Sequence, residues 1–149
     1  MGTAPAASAA PTAPPAVRFN HVAFRVADLE ASIGWYGAAF GAREAFRAHT
    51  PDGATQLVYL ELAPGQFVEL FPNGKNRIES PPDPIGYGHT CFLVPSLEGT
   101  LAHLATLGVE PAVAPRTGRA NQRLAFVADL DGNRIELMEI PPDSPIYRP

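Results

Sequence analysis

The chain of 149 residues contains a single cysteine, Cys91, so it can form no internal disulfide. Nothing therefore requires an oxidising compartment, and we expect the protein in the cytoplasm. Runs of lysine and arginine are also missing and the net charge is −4, which argues against nucleic acids and anionic membranes as partners. No apolar run reaches the length that spans a bilayer. A small molecule is the expected partner.

Hydrophobic residues make up 46% of the chain and charged residues 17%, a balance that supports a core in one domain. Residues 1–16 consist mainly of alanine and proline and cannot bury enough surface to fold, so we predict a disordered tail there. The predicted folded domain covers 17–140. The proline-rich residues 141–149 form a C-terminal tail that we expect to pack on the surface.

An internal repeat is the most informative feature of the sequence. Residues 19–30 align with residues 87–98 at a constant offset of 68, and five positions are identical, among them His21 with His89. Asp28 and Ser96 stand at equivalent places, and both residue types are good helix N-caps. The chain is therefore a duplication of one structural module.

Each copy continues in the same order of elements. An apolar helical periodicity follows each N-cap and ends at a glycine, Gly41 or Gly108. Strands are predicted over 43–48, 56–62 and 66–71, and then over 109–114, 123–128 and 134–140. The expected fold is α+β, with two tandem β-α-β-β-β modules at about 18–72 and 86–140 that form a curved eight-stranded mixed sheet around a cleft.

Strand alternation places chemically active residues on one face of this sheet, because residues two apart point the same way. His21 and Arg25 lie on the face away from the helix, as do His89 and Cys91 in the second module. The last strand of each module carries a glutamate between apolar neighbours.

These glutamates are Glu69, which follows His21 by 48 residues, and Glu136, which follows His89 by 47. The duplication favours convergence of all four side chains around a pseudo-two-fold axis. Two imidazoles and two carboxylates suit Zn, Ni, Co, Mn or Fe as a divalent metal ion, and they leave open positions for water or substrate. We therefore predict a catalytic metal site.

The sequence resembles the vicinal oxygen chelate superfamily, which includes glyoxalase I, bleomycin-resistance proteins and extradiol dioxygenases. The resemblance rests on motifs in both modules and covers about residues 18–140. The first module contains HVAFRV followed by DLEASI and WY, and later VELF, whereas the second module opens with GH and contains DGNRIEL near its end. Dimerisation is usual in the superfamily, so a homodimer is expected, with the site within one chain or across two.

The ligand pattern is similar to that of glyoxalase I, which implies the metal ligands His21, Glu69, His89 and Glu136. It further implies that Glu136 is the base that moves a proton between two carbons of a hemithioacetal, such as that of methylglyoxal, with Glu69 in an assisting role.

The same resemblance assigns substrate contacts and a thiol co-substrate such as glutathione. Arg25 and Asn73 match residues that contact glutathione. Arg116 and Arg119 lie in the segment that grips the thiol in that family. The implied activity is that of a metal-dependent lyase or isomerase.

Two other interpretations stay open at this stage. The first is another enzyme of the superfamily, an epimerase or a dioxygenase. An epimerase of this group commonly has glutamine at the position of Glu69, and a dioxygenase uses two histidines and one glutamate. The second is a non-enzymatic drug-binding or resistance protein, which typically lacks the metal ligands that are present here.

Overall fold

The structure, a computed structural model, describes residues 18–77 and 85–148. The predicted tail over 1–16 and part of the linker between the modules lie outside the described residues. The elements follow the predicted order. They are β1 (His21–Arg25), α1 (Leu29–Phe40), β2 (Arg43–His49), β3 (Thr55–Ala63), β4 (Gln66–Phe71), β5 (Thr90–Leu93), α2 (Leu97–Thr106), β6 (Val113–Thr117), β7 (Arg123–Ala128) and β8 (Arg134–Glu139).

The eight strands form two mixed four-stranded sheets, one in each module. The strand orders are β1-β4-β3-β2 and β5-β8-β7-β6. In both sheets the first strand of the module pairs in parallel with the last, and the remaining pairs are antiparallel. The predicted duplication and the α+β class are thereby confirmed. Because β1 and β5 stand at sheet edges, each exposes one row of backbone hydrogen-bonding groups.

Local signals explain where the helices begin and end. The Asp28 side chain accepts a hydrogen bond from the backbone of Ala31, and the Ser96 side chain accepts one from Gly99. Gly41 ends α1 in the left-handed conformation, with a φ of 70°. The second helix ends at Thr106, just before Gly108.

One strand begins later than its sequence suggests. The apolar and β-branched residues from Val109 onward predict a strand at 109–114, but β6 begins at Val113. Pro111 accounts for the difference, because proline has no N–H to donate to a neighbouring strand.

A single hydrophobic core joins the two modules, with apolar residues from both helices and both sheets. Leu97 and Leu104 of α2 are fully buried, as are Val68 and Leu137 of the two sheets. Phe40 of α1 meets Phe92 of β5 edge to face, with ring centroids 5.1 Å apart. The opposite face of each sheet is free of this core, and we call it the open face. In the described part of the chain, no helix is long and apolar enough to cross a membrane.

Candidate metal and substrate site

The open face of the first sheet carries the first predicted ligand pair. Nε2 of His21 lies 3.3 Å from Oε2 of Glu69. The neighbouring strands β1 and β4 bring them together, since Ala23 pairs with Glu69 in the register of the sheet. The glutamate is buried, with 7% of its surface exposed, whereas the His21 side chain is partly open to solvent.

The second sheet repeats this arrangement. Nε2 of His89 lies 2.8 Å from Oε2 of Glu136, and this glutamate is equally buried. Each module therefore builds one imidazole–carboxylate pair on its open face. Within residues 18–77 and 85–148, no three histidine, cysteine, aspartate or glutamate side chains form one cluster suited to a metal ion.

The two imidazoles nevertheless share a cavity. His21 and His89 both line a space of about 370 Å³ between the edge strands β1 and β5. Neither Glu69 nor Glu136 is among the described residues that line it. The structure thus pairs each histidine with its glutamate and leaves the two pairs apart.

Each imidazole rests against an aromatic ring that lies outside the sequence motifs. His21 meets Tyr59 edge to face at 5.4 Å, and His89 meets Phe126 in the same way at 5.2 Å. Both aromatic residues stand ten positions before the glutamate of their module. That matched spacing is the signal that could have identified them. A third unassigned residue, Arg134, stacks its guanidinium over the Phe126 ring at 4.0 Å.

Two of the predicted substrate contacts lie close together on the first module. Nη1 of Arg25 donates a hydrogen bond to the backbone oxygen of Pro72 over 2.9 Å, and Asn73 is the next residue along the chain. Asn73 has a φ of 64°, in the left-handed region that asparagine tolerates. Arg25 also lies over the Phe71 ring, 5.4 Å from its centroid.

The other two predicted contacts belong to the second module. Arg116 lies on β6 and Arg119 in the loop that follows, and both are exposed. Gln122 and the C-terminal segment hold this loop. The Gln122 side chain accepts a hydrogen bond from the backbone of Ala120, whose own oxygen accepts one from Ser144.

Cys91 lies on the open face beside Glu136, its partner in the β5–β8 register. Burial raises the pKa of the Cys91 thiol to about 12, and the negative charge of the neighbouring Glu136 carboxylate adds to that rise. The thiol is therefore protonated at neutral pH and is not an activated nucleophile.

Each module carries one histidine–glutamate pair at the same place in its sheet. A sequence model of the Glyoxalase/Bleomycin resistance protein/Dioxygenase superfamily matches residues 18–137. The chain belongs to this superfamily. The resemblance inferred from the motifs is thereby confirmed.

Individual members of the superfamily are similar over most of the chain. A lactoylglutathione lyase of Pseudomonas aeruginosa is 29% identical over 145 residues, with 81% of each chain covered. The structure of a glyoxalase family protein from Enterococcus faecalis is 26% identical with a TM-score of 0.70, covering 82% of this chain and 97% of that one. The trypanothione-dependent glyoxalase I of Leishmania major is 27% identical with a TM-score of 0.65, covering 83% and 87%.

Proposed function

We propose that the protein is a metal-dependent lyase or isomerase of the glyoxalase I type. The enzyme would transfer a proton between two adjacent carbons of a small substrate, each of which carries an oxygen. The duplicated pairs, His21 with Glu69 and His89 with Glu136, are the observation that carries the proposal. The similarity to lactoylglutathione lyase of Pseudomonas aeruginosa adds support and makes the hemithioacetal of methylglyoxal and glutathione the first substrate to test.

The donor atoms suit a divalent ion. Atoms bound to one ion at about 2.1 Å lie roughly 3.0–3.4 Å apart, and the nitrogen–oxygen distances of 3.3 and 2.8 Å are close to that. Nδ1 of His21 lies 2.9 Å from Oδ1 of Asn20. When Nδ1 donates this bond, Nε2 carries a lone pair, and Nε2 and the Glu69 carboxylate would both be available to hold a divalent ion. Bound at this set, a divalent ion supplies Lewis-acid polarisation of the substrate oxygens.

The protein's own residues supply proton transfer and binding. Glu136 is buried next to apolar side chains and acts as the base that takes the proton from one carbon and returns it to the next. Arg25 and Asn73 lie at one end of the open face, where a guanidinium and an amide can bind a substrate carboxylate. Arg116 and Arg119 are exposed on the second module and add two further positive charges that can bind a substrate.

We propose further that two chains complete the site. Each ligand pair lies on an open face, and the described residues of one chain do not bring the pairs into one cluster. The first module of one protomer would then meet the second module of its partner. Exposed apolar side chains near the edge strands, Phe19 at 71% and Leu93 at 69%, support burial against a second copy.

Mixing two inactive variants tests this arrangement. His21→Ala damages only the first module and His89→Ala only the second. If the site spans two chains, a mixed dimer of the variants keeps one intact site and regains metal binding and activity. If one chain forms the whole site, every chain in the mixture is damaged, and no metal binding or activity returns.

Metal content and turnover test the proposed reaction itself. The purified protein should bind a divalent ion, and His21→Ala and Glu136→Gln should weaken that binding. His49→Ala is the matched control, because His49 is exposed at the end of β2, away from both pairs. With the ion bound, methylglyoxal and glutathione should yield a thioester faster than the uncatalysed background. Protein that takes up no Zn, Ni, Co, Mn or Fe would contradict the proposal.

One observation favours a second candidate, a protein that binds a small molecule without converting it. The first module carries three neighbouring aromatic rings, those of Phe46, Tyr59 and Phe67. Flat apolar ligands stack on such rings. Retained binding of an aromatic drug by metal-stripped protein, together with no turnover of the metal-loaded protein, would favour this candidate.

A further inference from the structure

A stack of three side chains lies beside the histidine–glutamate pair of the first module. The Phe67 ring meets the Tyr59 ring edge to face, with centroids 5.8 Å apart, and Tyr59 meets His21 in the same way at 5.4 Å. Phe67 stands two residues before Glu69 on β4, so both side chains lie on the open face of the sheet. The outermost member of this stack is therefore an apolar ring.

The second module repeats the stack with one change of chemistry. Phe126 meets His89 edge to face at 5.2 Å, and Cζ of Arg134 lies over the Phe126 ring, 4.0 Å from its centroid. Arg134 stands two residues before Glu136 on β8, which is the position of Phe67 in the first module. The matched position thus carries an aromatic ring in one module and a guanidinium in the other.

The Arg134 guanidinium has donors to offer a ligand. The residue is exposed, and none of the ion pairs found within residues 18–77 and 85–148 includes it. Arg47, by contrast, is paired with Glu30 and Glu44. Contact with the face of an aromatic ring restrains a guanidinium but uses none of its N–H donors. Arg134 is thus a restrained cation whose donors can bind an anionic oxygen group.

Arg134 also lies near the glutamate that we propose as the base. Residues two apart along a strand are separated by about 7 Å, and a long arginine side chain can extend over most of such a distance. A small substrate whose reacting carbons lie at Glu136 would therefore reach Arg134 with a group only a few bonds away. That group would then be carried by the reacting carbon chain itself.

We infer that Arg134 is a specificity-determining residue, which binds an anionic group carried by the carbon chain that reacts. A guanidinium binds a carboxylate through two parallel hydrogen bonds, and these are stronger than bonds between neutral groups. The substrate class is then an oxoaldehyde whose side chain ends in a carboxylate, in place of the uncharged methyl group of methylglyoxal. This inference rests on the proposed function and names the substrate class of the same site.

Binding of two matched hydroxy acids tests the inference without turnover. Hydroxyglutarate carries a second carboxylate at its far end, and its distal amide carries an uncharged group there. The metal-loaded protein should bind hydroxyglutarate about 10-fold more tightly than the amide, because a hydrogen bond to a charged group is lost in the amide. Isothermal titration calorimetry measures both dissociation constants. Equal binding of the two compounds, or no binding of either, would overturn the inference.

Three variants locate this preference on the guanidinium. Arg134→Phe places at this position the side chain that the first module has, and it should bind the two compounds equally. Arg134→Lys keeps the charge and should keep part of the preference. Arg123→Phe is the matched control, because Arg123 belongs to the same sheet but pairs with Glu98 of α2, on the helix side. It should keep the full preference, and a preference that persists in Arg134→Phe would show that Arg134 is not its source.

Turnover gives an independent measurement. Glutathione forms hemithioacetals with dioxopentanoate, an oxoaldehyde that ends in a carboxylate, and with its methyl ester, which lacks the charge. The kcat/KM of wild type should be about 10-fold higher for the carboxylate, and the ratio of the two values should fall to about one in Arg134→Phe. The change should lie in KM, because Arg134 binds the substrate away from the carbons that exchange the proton.

The failure of this inference and that of the proposed function give different results. If the protein converts the hemithioacetal of methylglyoxal but shows no preference for a carboxylate, the proposed function stands and the role of Arg134 is wrong. If it takes up no divalent ion and transfers no proton, yet binds hydroxyglutarate more tightly than the amide through Arg134, the anion site stands and the proposed reaction is wrong.

Discussion

The hydroxyl group of Tyr36 donates a hydrogen bond to Oδ2 of Asp129 over 2.9 Å and so joins the helix of the first module to the second module. Tyr36 is fully buried and Asp129 is 8% exposed. The same carboxylate accepts hydrogen bonds from the backbone of Asp131 and from the backbone and side chain of Asn133. This network fixes the β7–β8 turn against α1 and holds the two modules in one arrangement.

Removing the hydroxyl should destabilise the fold. We expect Tyr36→Phe to lower the free energy of unfolding by about 2 kcal/mol, because a buried hydrogen bond to a carboxylate is lost. Urea denaturation measures the difference. Tyr147→Phe, at an exposed tyrosine, is the control and should change the stability by less than about 0.5 kcal/mol. Equal losses in the two variants would contradict the role given to the Tyr36–Asp129 bond.

The same tyrosine predicts a dependence on alkaline pH. Burial, reinforced by the Asp129 carboxylate, raises the pKa of Tyr36 well above its ordinary value of 10.0. Above about pH 10 the tyrosine of the unfolded chain loses its hydroxyl proton, whereas Tyr36 of the folded protein keeps it. The free energy of unfolding therefore declines by about 1.4 kcal/mol per pH unit. The stability difference between wild type and Tyr36→Phe should therefore narrow as the pH rises above 10, in parallel urea titrations. A constant difference from pH 8 to 11 would contradict the raised pKa of Tyr36.

The turn that carries Asn73 depends on a close backbone approach. A Cβ on Gly74 would lie 3.1 Å from the carbonyl carbon and oxygen of Val26, and the Gly74 N–H donates to that oxygen. Gly74→Ala should cost about 1–3 kcal/mol and displace Asn73. Gly34→Ala, on an open position of α1, should instead stabilise by about 0.5–1 kcal/mol. Urea denaturation should show that the changes in the free energy of unfolding, relative to wild type, have opposite signs in the two variants.

The C-terminal segment supports the loop between β6 and β7. Ser144 is buried, and its hydroxyl donates to the backbone oxygen of Ala120 over 2.6 Å, while Asn121 donates to the Asp143 side chain. Ser144→Ala should remove about 1 kcal/mol of local stability and speed amide hydrogen exchange in residues 118–122. Exchange in β1 should stay unchanged and provides the internal control. Unaltered exchange in the loop would show that the tail does not hold it.

Local patterns were enough to predict the modules and their helices. The offset of 68 between His21 and His89 revealed the duplication, and Asp28 and Ser96 located the helix starts. Alternation along the strands assigned the histidines and glutamates to one face. These features depend on residues that are close along the chain, whose spacing is fixed by backbone geometry. They can therefore be predicted from the sequence.

The remaining features depend on contacts between distant parts of the chain. Tyr36 and Asp129 are 93 residues apart, and no periodicity links them. The arrangement of the eight strands as two sheets of four, and the separation of the two histidine–glutamate pairs, follow from how the shared core packs the modules. Strand alternation in the sequence is enough to assign these histidines and glutamates to the open faces. Contacts among them follow from the tertiary fold, because the packing of the modules depends on the burial of apolar surface across the whole protein.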